Sequence, residues 1–227
     1  MIAAVITFPG INRENDVARA LKKGTGHQPT MIWHAETALP SRTDLVVLPG
    51  GFSYGDYLRC GAIAARAPIM DAVRAHAARG GLVLAICNGF QIACEAGLLP
   101  GVLVRNANLR FVCHFQHVRV ERTDTAFTKH FIEGEAAKFC VAHGEGNYTA
   151  DAETLARLEG DGRVAFRYCD ADGRTGGQSN PNGSEKNIAG IYSDQLNVLG
   201  LMPHPENLID PLVGGADGLK LFEGLAD

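Results

Sequence analysis

Short apolar runs and amphipathic segments alternate along the first hundred residues of this 227-residue chain. Apolar runs predict strands at 2–8, 30–34, 44–51 and 82–86, and helical spacing of apolar residues predicts helices around 15–23 and at 67–81. The run at 82–86 has no polar alternation, which is typical of a strand covered by helices on both faces. This order predicts a doubly wound α/β fold with a flavodoxin-like, open and mainly parallel sheet.

The pattern changes after residue 100. Alternation with a period of two within 102–124, clearest in HVRVER, predicts an antiparallel section added to the parallel core. Further strands are predicted at 138–143, 164–170, 188–193 and 198–204. The stretch GGQSNPNGSEKN at 176–187 is predicted to be an exposed loop. Because nothing marks an interdomain linker, residues 1–227 are predicted to form a single domain.

Composition and charge narrow the class of protein. The chain is 46% hydrophobic, with 21 Lys and Arg against 25 Asp and Glu, and neither sign is gathered into a long run. It therefore lacks the basic stripe of a nucleic-acid-binding protein. The apolar runs are shorter than the roughly 20 residues that span a bilayer, and MIAAVITFPG is predicted to be a first strand, not a signal peptide. We expect a cytoplasmic protein with neither a nucleic-acid nor a membrane partner.

The cysteines follow no ligand pattern. Six lie at positions 60, 87, 94, 113, 140 and 169, with no C-x-x-C pair. We expect free thiols and no metal site, because no Cys/His group has the compact spacing of zinc ligands. Core packing is expected for the four in helix or strand patterns, namely Cys94, Cys113, Cys140 and Cys169.

Cys87 is different, because it lies between a predicted strand and a predicted helix in LAICNGFQIACEAG. Such a corner holds a side chain on a sharp turn at the carboxyl edge of the sheet, where open α/β sheets bind ligands. The helix N-terminus favours the thiolate, and Gly89 leaves room for a close approach. Cys87 is predicted to be a nucleophile; the alternative is a small buried hydrophobe.

GLMPHPENL at 200–208 offers partners for such a thiol. A thiol nucleophile needs an imidazole to relay protons, and the imidazole needs an acceptor to fix its tautomer. His204 and Glu206 supply both groups, and the prolines at 203 and 205 stiffen the segment. The alternative is an ordinary loop histidine.

LPGGFSYGDYLRCGAIA at 48–64 places two glycines after a predicted strand. This arrangement can turn a backbone N–H inward, as acyl chemistry requires at the developing oxyanion. The alternatives are a phosphate cradle or a plain tight turn. Neither G-K-[ST] nor G-x-G-x-x-G follows, so nucleotide binding is weakly supported.

Taken together, these motifs resemble those of a known family. They are FPGINREND (8–16), PGGFSYGDYLRCGAIA (49–64), CNGFQ (87–91), VAHGEGNY (141–148), MPHPE (202–206) and GGADGLKLF (214–222). With them the chain resembles the class I, triad-type glutamine amidotransferases, and among these the glutaminase subunits of phosphoribosylformylglycinamidine synthases. The second and third motifs are particular to this branch, and the resemblance covers nearly the whole chain as one type 1 glutamine amidotransferase domain.

The resemblance implies roles for individual residues. Cys87 would be the nucleophile that forms a thioester with glutamine, His204 the general acid and base, and Glu206 its orienting carboxylate. The backbone N–H groups of Gly51 and Asn88 would form the oxyanion hole. Two further residues are implied more weakly as contacts of the substrate glutamine, Gln91 and Phe52.

The resemblance also implies partners. Glutamine hydrolysis to glutamate and ammonia would supply a larger synthetase subunit, which converts formylglycinamide ribonucleotide to formylglycinamidine ribonucleotide in purine biosynthesis. ATP and magnesium would belong to that subunit, with no cofactor in this chain, and a small third subunit would complete the complex.

Three positions depart from the family pattern. Ala85 stands where Gly is usual, Ile11 where Ser is frequent, and His114 where Arg is common. HGEGNY at 143–148 could be a subunit contact, a substrate edge or a structural turn. Two other functions remain open: another thiol enzyme of the same fold, such as a peptidase or deglycase relative, and a non-catalytic redox-sensing subunit.

Overall fold

The computed structural model describes residues 1–226, which contain five α-helices and eleven strands. The strands are β1 (Ala3–Thr7), β2 (Thr30–Trp33), β3 (Leu45–Leu48), β4 (Leu82–Ile86), β5 (Val102–Val104), β6 (Val112–Val120), β7 (Ala136–His143), β8 (Asn147–Thr149), β9 (Val164–Cys169), β10 (Ile188–Tyr192) and β11 (Val198–Leu201). The helices are α1 (Glu14–Thr25), α2 (Ile69–Ala78), α3 (Asn88–Glu95), α4 (Ala152–Gly160) and α5 (Leu219–Gly224). None of these helices has the length and apolar character needed to cross a membrane.

Nine strands form one sheet in the order β2-β1-β3-β4-β11-β10-β9-β6-β7. The pairs from β2 to β11 are parallel, and the pairs from β11 to β7 are antiparallel. The parallel order matches that of flavodoxin-like folds. The predicted α/β class and its added antiparallel section are therefore confirmed. The short strands β5 and β8 pair with each other in a separate sheet.

The centre of the parallel section is covered on both faces, since every residue of β3 and β11 is buried. Ala85 in β4 is fully buried and pairs with Leu48 on one side and Gly200 on the other. The methyl group at this departure from the family pattern is thus accommodated inside the sheet. The carboxyl ends of β4 and β11 lie side by side, which brings residue 87 and the segment after Leu201 to the same edge.

Two predictions about exposure are wrong. The loop at 176–187 is not uniformly exposed, because Asn182 and Ser184 are only 1% and 3% exposed. Cys113 is exposed and Cys140 is half-buried, although both lie in strands. The cause is the sheet register: β9 pairs with β6 only from His117 onward, so the first half of β6 has β7 as its one neighbouring strand.

Gly89 sets how closely α3 packs against the sheet. A Cβ at this position would lie 1.9 Å from the carbonyl oxygen of Leu48. The backbone of α3 and the backbone of β3 are both held by their own hydrogen bonds and cannot shift locally. An added methyl group therefore forces the whole helix away from β3.

We therefore expect Gly89→Ala to lower the free energy of unfolding by about 3 kcal/mol, because it overpacks a helix–strand contact. Gly160→Ala is the matched control, since a Cβ there meets nothing within 4 Å, and it should change stability by at most about 1 kcal/mol. Urea unfolding of both variants makes the comparison. Equal stability of the two would show that α3 does not depend on this close approach.

Candidate active site

Cys87 occupies a strained turn between β4 and α3. Its φ of 52° and ψ of −107° lie in a region that non-glycine residues rarely adopt. The turn is held by a hydrogen bond from the Cys87 N–H to the Leu201 carbonyl oxygen at 2.8 Å. This strand–turn–helix geometry resembles a nucleophile elbow, and it presents the thiol at the carboxyl edge of the sheet. The corner predicted from the sequence is present.

His204 and Glu206 follow β11 and reach the same edge. The Nδ1 atom of His204 lies 2.6 Å from Oε1 of Glu206, and each residue is 2% exposed. The His204 N–H donates to the carbonyl oxygen of Cys140 at 2.7 Å, which fixes the backbone beside the ring. The Cys87 side chain lies near enough to influence the pKa of the ring, and its thiol donates to the Ala142 carbonyl oxygen at 3.8 Å. Since Nδ1 is engaged by Glu206, the other ring nitrogen is the one that serves the thiol.

The pKa of His204 is set by opposing influences. Burial by itself lowers it, because desolvation disfavours the imidazolium. The carboxylate of Glu206, with its hydrogen bond to the ring, and the neighbouring Cys87 together outweigh burial and raise the pKa of His204 well above 6.5. The second oxygen of Glu206 is buried with no hydrogen-bond partner in residues 1–226, so this carboxylate serves the histidine alone. The ring can therefore hold a proton at neutral pH and deliver it.

The turn formed by Gly50 and Gly51 after β3, called the glycine turn, lies against the side chains of Cys87 and His204. A Cβ at Gly50 would lie 2.7 Å from Cε1 of His204 and 3.4 Å from Cβ of Cys87, so only glycine fits beneath the ring. Gly51 has φ +144°. The two hydrogen bonds that hold this turn to residues 10–13 use the N–H groups of Phe52 (3.1 Å) and Arg13 (3.2 Å), so the Gly51 N–H takes no part in them.

Asn88 ties the glycine turn to α3. Its side-chain oxygen accepts from the Ser53 N–H at 3.0 Å, and its Nδ2 donates to Oε1 of Gln91 at 2.8 Å and to Asp56 at 3.3 Å. As the first residue of α3, Asn88 also has a backbone N–H without an intrahelical partner. Gln91 in turn donates to the Glu145 carbonyl oxygen at 2.6 Å. The Gln91 amide is thus bonded to the protein at both ends, and its contact with a substrate stays a prediction.

A cleft of about 150 Å³ opens in front of the thiol, and we call it the Cys87 cleft. Phe52 lies at its rim and is 46% exposed, as a substrate contact would require. The cleft is lined by Gly51, Phe52, Asp56, Cys60, Cys87, Gln91, Phe111, Ala142, His143, Gly144 and Glu145. The start of HGEGNY therefore forms one wall. Sequence reasoning missed Asp56, Cys60, His143 and Glu145, although each lies within a motif that it had singled out.

Asp56 and Glu145 form an acidic pair in this cleft. Burial raises the pKa of Asp56, and the negative charge of Glu145 raises it further. Burial, with help from both carboxylates, also raises the pKa of the Cys60 thiol, which keeps it protonated. The lining of the cleft contains neither Lys nor Arg. The acidic pair therefore suits a ligand that carries an ammonium group.

Metal chemistry has no candidate group here. Within residues 1–226, no set of three or more His, Cys, Asp or Glu side chains is placed to hold a metal ion.

The remaining family departures lie outside the Cys87 cleft. Ile11 forms an isolated bridge with Gly51, and His114 is exposed on β6 within 3.3 Å of the Gln116 side chain.

Comparison with known proteins places these features in a family context. A family model described as a CobB/CobQ-like glutamine amidotransferase domain matches residues 2–214. The subunit PurQ of phosphoribosylformylglycinamidine synthase from Nitrobacter hamburgensis is 64% identical over 225 residues, covering 99% of this chain and 97% of that protein. The subunit PurQ from Rhodospirillum rubrum is 57% identical over 227 residues, covering 100% and 99%.

A solved structure of PurLQS from Thermotoga maritima contains a chain with the same architecture. The two chains superpose with a TM-score of 0.86 at 39% sequence identity, over 98% of this chain and 96% of that one. At this identity and coverage the likeness includes the antiparallel section.

The raised pKa of His204 predicts a pH-dependent contribution to stability. A group whose pKa is higher in the folded state stabilises the fold fully below its unfolded pKa, here near 6.5, and this stabilisation is lost as pH rises through the folded pKa. Glu206→Gln keeps an acceptor for the ring but removes the charge. We expect the parent's advantage in unfolding free energy over E206Q to shrink as pH rises from 6.5 through the raised folded-state pKa of His204.

Urea unfolding across this range measures the difference. Glu133→Gln, an exposed position, is the matched control and should differ from the parent by an amount that does not change with pH. If the parent and E206Q curves run parallel, Glu206 does not control the protonation of His204.

Proposed function

Because the chain belongs to the CobB/CobQ-like glutamine amidotransferase family and to its PurQ subunits of phosphoribosylformylglycinamidine synthase, we propose that it hydrolyses the side-chain amide of glutamine and delivers the ammonia to a synthetase subunit. The observation that carries this proposal is the thiol of Cys87 on a strained turn, beside a buried His204 that Glu206 orients.

In the proposed reaction the Cys87 thiolate attacks the side-chain amide carbon of glutamine. The carbonyl π electrons move to the oxygen, and the resulting oxyanion accepts hydrogen bonds from the backbone N–H groups of Gly51 and Asn88. Both groups are available. The Gly51 N–H takes no part in the hydrogen bonds that hold the glycine turn, and the Asn88 N–H begins α3 without an intrahelical partner. The Asn88 side chain holds the two donors together through its bond to Ser53.

His204 then donates its proton to the departing nitrogen. The carbon–nitrogen bond breaks, ammonia leaves, and the γ-glutamyl group remains on Cys87 as a thioester. The now neutral imidazole takes a proton from water, whose oxygen attacks the thioester carbon. Glutamate is released, and the thiolate and the imidazolium are restored. Glu206 stabilises the imidazolium before ammonia leaves and again after the ring has taken a proton from water.

Recognition of glutamine is assigned to the Cys87 cleft. The acidic pair Asp56 and Glu145 provides negative charge for the α-ammonium group. Phe52 provides an exposed ring at the rim, against which the methylene groups of the substrate can pack. The buried amide of Gln91 fixes the wall between α3 and the loop after β7.

The relatives' names supply the context of the reaction. They are subunits of phosphoribosylformylglycinamidine synthase, and the Thermotoga maritima structure is of PurLQS. We propose that this chain is a cytoplasmic single domain that works with a large synthetase subunit, which uses ATP and magnesium to convert formylglycinamide ribonucleotide to formylglycinamidine ribonucleotide, and with a small third subunit. Glutaminase activity is expected to be weak until the synthetase binds.

We expect Cys87→Ala to lower glutamate release from glutamine by at least about 10³-fold, because the reaction loses its nucleophile. Glutamate release is measured with the chain alone and with the synthetase, ATP and formylglycinamide ribonucleotide. The synthetase mixture should stimulate the parent and leave the variant inactive.

Cys94→Ala is the matched control, since Cys94 lies on the same helix and its thiol is engaged with the Pro100 carbonyl oxygen at 3.8 Å. It should retain activity within about threefold of the parent. The amidotransferase proposal fails if no glutamate appears under any condition, or if C87A matches the parent; a sensing role for the thiol would then replace it.

A further inference from the structure

A second cavity, of about 610 Å³, lies at the edge of the sheet opposite Cys87. Its wall includes Val198, the first residue of β11, whose other end leads to the active site. Parts of α2 and α4, the segment after α3 and the turn between β10 and β11 form the rest of the wall. Three arginines line this cavity, which we call the arginine cleft: Arg74, Arg157 and Arg163. The proposed glutaminase reaction uses none of them.

Arg74 is held in place by the protein itself. Its Nε donates to the Ala96 carbonyl oxygen at 3.1 Å, and its Nη2 donates to the Ala65 carbonyl oxygen at 2.6 Å. Its Nη1 donates to the carboxylate of Asp71 at 2.9 Å. Each guanidinium nitrogen is therefore engaged, so Arg74 forms a fixed wall and leaves ligand binding to the other two arginines.

Arg163 is buried, yet its guanidinium is only partly paired. The residue directly precedes β9 and is 8% exposed. Its Nη1 forms an ion pair with Asp194, whereas its Nε is buried with no hydrogen-bond partner in residues 1–226. Taking a charged group out of water is costly unless it is paired and hydrogen-bonded. The surroundings of Arg163 therefore favour further negative charge.

Arg157 brings a second guanidinium close to Arg163. It lies on α4 and is exposed, and its Nη2 is 3.5 Å from Oγ1 of Thr154. Within residues 1–226 no carboxylate pairs with it. Burial lowers the pKa of Arg163; the negative charge of Asp161 opposes this effect, and the positive charge of Arg157 adds to it. The two guanidinium groups thus repel each other, and an anion between them would remove the repulsion.

Asp194 shows where such an anion can lie. Among the described residues that line the arginine cleft, it is the only acidic one. It belongs to the turn between β10 and β11, and its side chain is 85% exposed. An ion pair with so exposed a carboxylate contributes little stability, so a stronger anion can replace Asp194 beside Arg163.

The rest of the arginine cleft can hold the body of a small molecule. Leu98, Leu99 and Pro100 give it an apolar wall, and its volume is within the range of small-molecule sites. Guanidinium groups bind phosphate through charge-assisted, bidentate hydrogen bonds. A phosphate monoester carries about −1.5 to −2 charge at neutral pH, which matches two guanidinium groups better than the single charge of a carboxylate.

We propose that the arginine cleft binds a small phosphate monoester, whose phosphate group lies between Arg157 and Arg163 and displaces Asp194. The body of the ligand packs against the wall at 98–100. The ligand and glutamine bind at opposite edges of the sheet, so they do not compete. This site goes beyond the proposed glutaminase reaction and does not depend on it.

Ribose 5-phosphate and ribose are the probes for this site. Isothermal titration calorimetry on the full chain, at an ionic strength of about 0.15 M that screens weak attraction to surface charges, measures their affinities. Ribose 5-phosphate should bind at least about tenfold more tightly than ribose, because only the phosphate group meets the two arginines.

Three variants locate the phosphate group. Arg157→Gln should weaken the binding of ribose 5-phosphate by about tenfold, the effect of losing a hydrogen bond between charged groups. Asp194→Asn should tighten it by about threefold or more, because the competing carboxylate loses its charge. Arg174→Gln is the matched control: this exposed arginine pairs with Asp172 outside the arginine cleft, and its loss should change the affinity by at most about twofold.

The proposal is overturned if the parent protein binds ribose 5-phosphate no more tightly than ribose, or if R157Q and R174Q have equal effects. It is also overturned if D194N does not bind more tightly than the parent, since Asp194 would then not occupy the phosphate position. Competition between ribose 5-phosphate and glutamine would contradict it as well, because it would place the probe in the Cys87 cleft.

Discussion

The backbone turn at Cys87 is the constraint on which the rest of the site depends. A non-glycine residue with φ 52° costs about 1–3 kcal/mol and persists only where its surroundings hold it. Here β4 is paired on both sides, the Cys87 N–H is bonded to Leu201, and α3 is packed onto Leu48 through Gly89. The buried centre of the sheet thereby offsets the strain that presents the thiol.

The two halves of the sheet contribute different parts of the site. The parallel half supplies the thiol after β4 and the histidine after β11, because the carboxyl ends of these neighbouring strands meet at one edge. The antiparallel half supplies a wall: the His204 N–H bonds to Cys140 in β7, and three residues later His143 closes that strand inside the Cys87 cleft. The chemistry thus comes from the core, whereas the shape of the cleft depends on the added strands.

The sequence alone was enough to identify residues whose chemical type and place after a predicted strand both point to catalysis. Cys87, His204 and Glu206 could be singled out because a strand end precedes each segment and a thiol, an imidazole and a carboxylate form a known combination. The pairing of Asn182 with His143 could not be predicted, because it joins residues 39 positions apart through packing that leaves no periodic signal. Likewise, alternation in β6 could not show that β9 covers only part of it, which is why Cys113 is exposed.

In the proposed mechanism the thiol on the strained turn forms a covalent intermediate with glutamine. The most direct test is peptide mapping by mass spectrometry after the assembled enzyme turns over glutamine and is quenched in acid, which preserves a thioester. A γ-glutamyl group on the peptide that contains Cys87 is the predicted result. Glutamate release with no adduct, or with an adduct on Cys60 in the same cleft, would contradict the proposed role of Cys87.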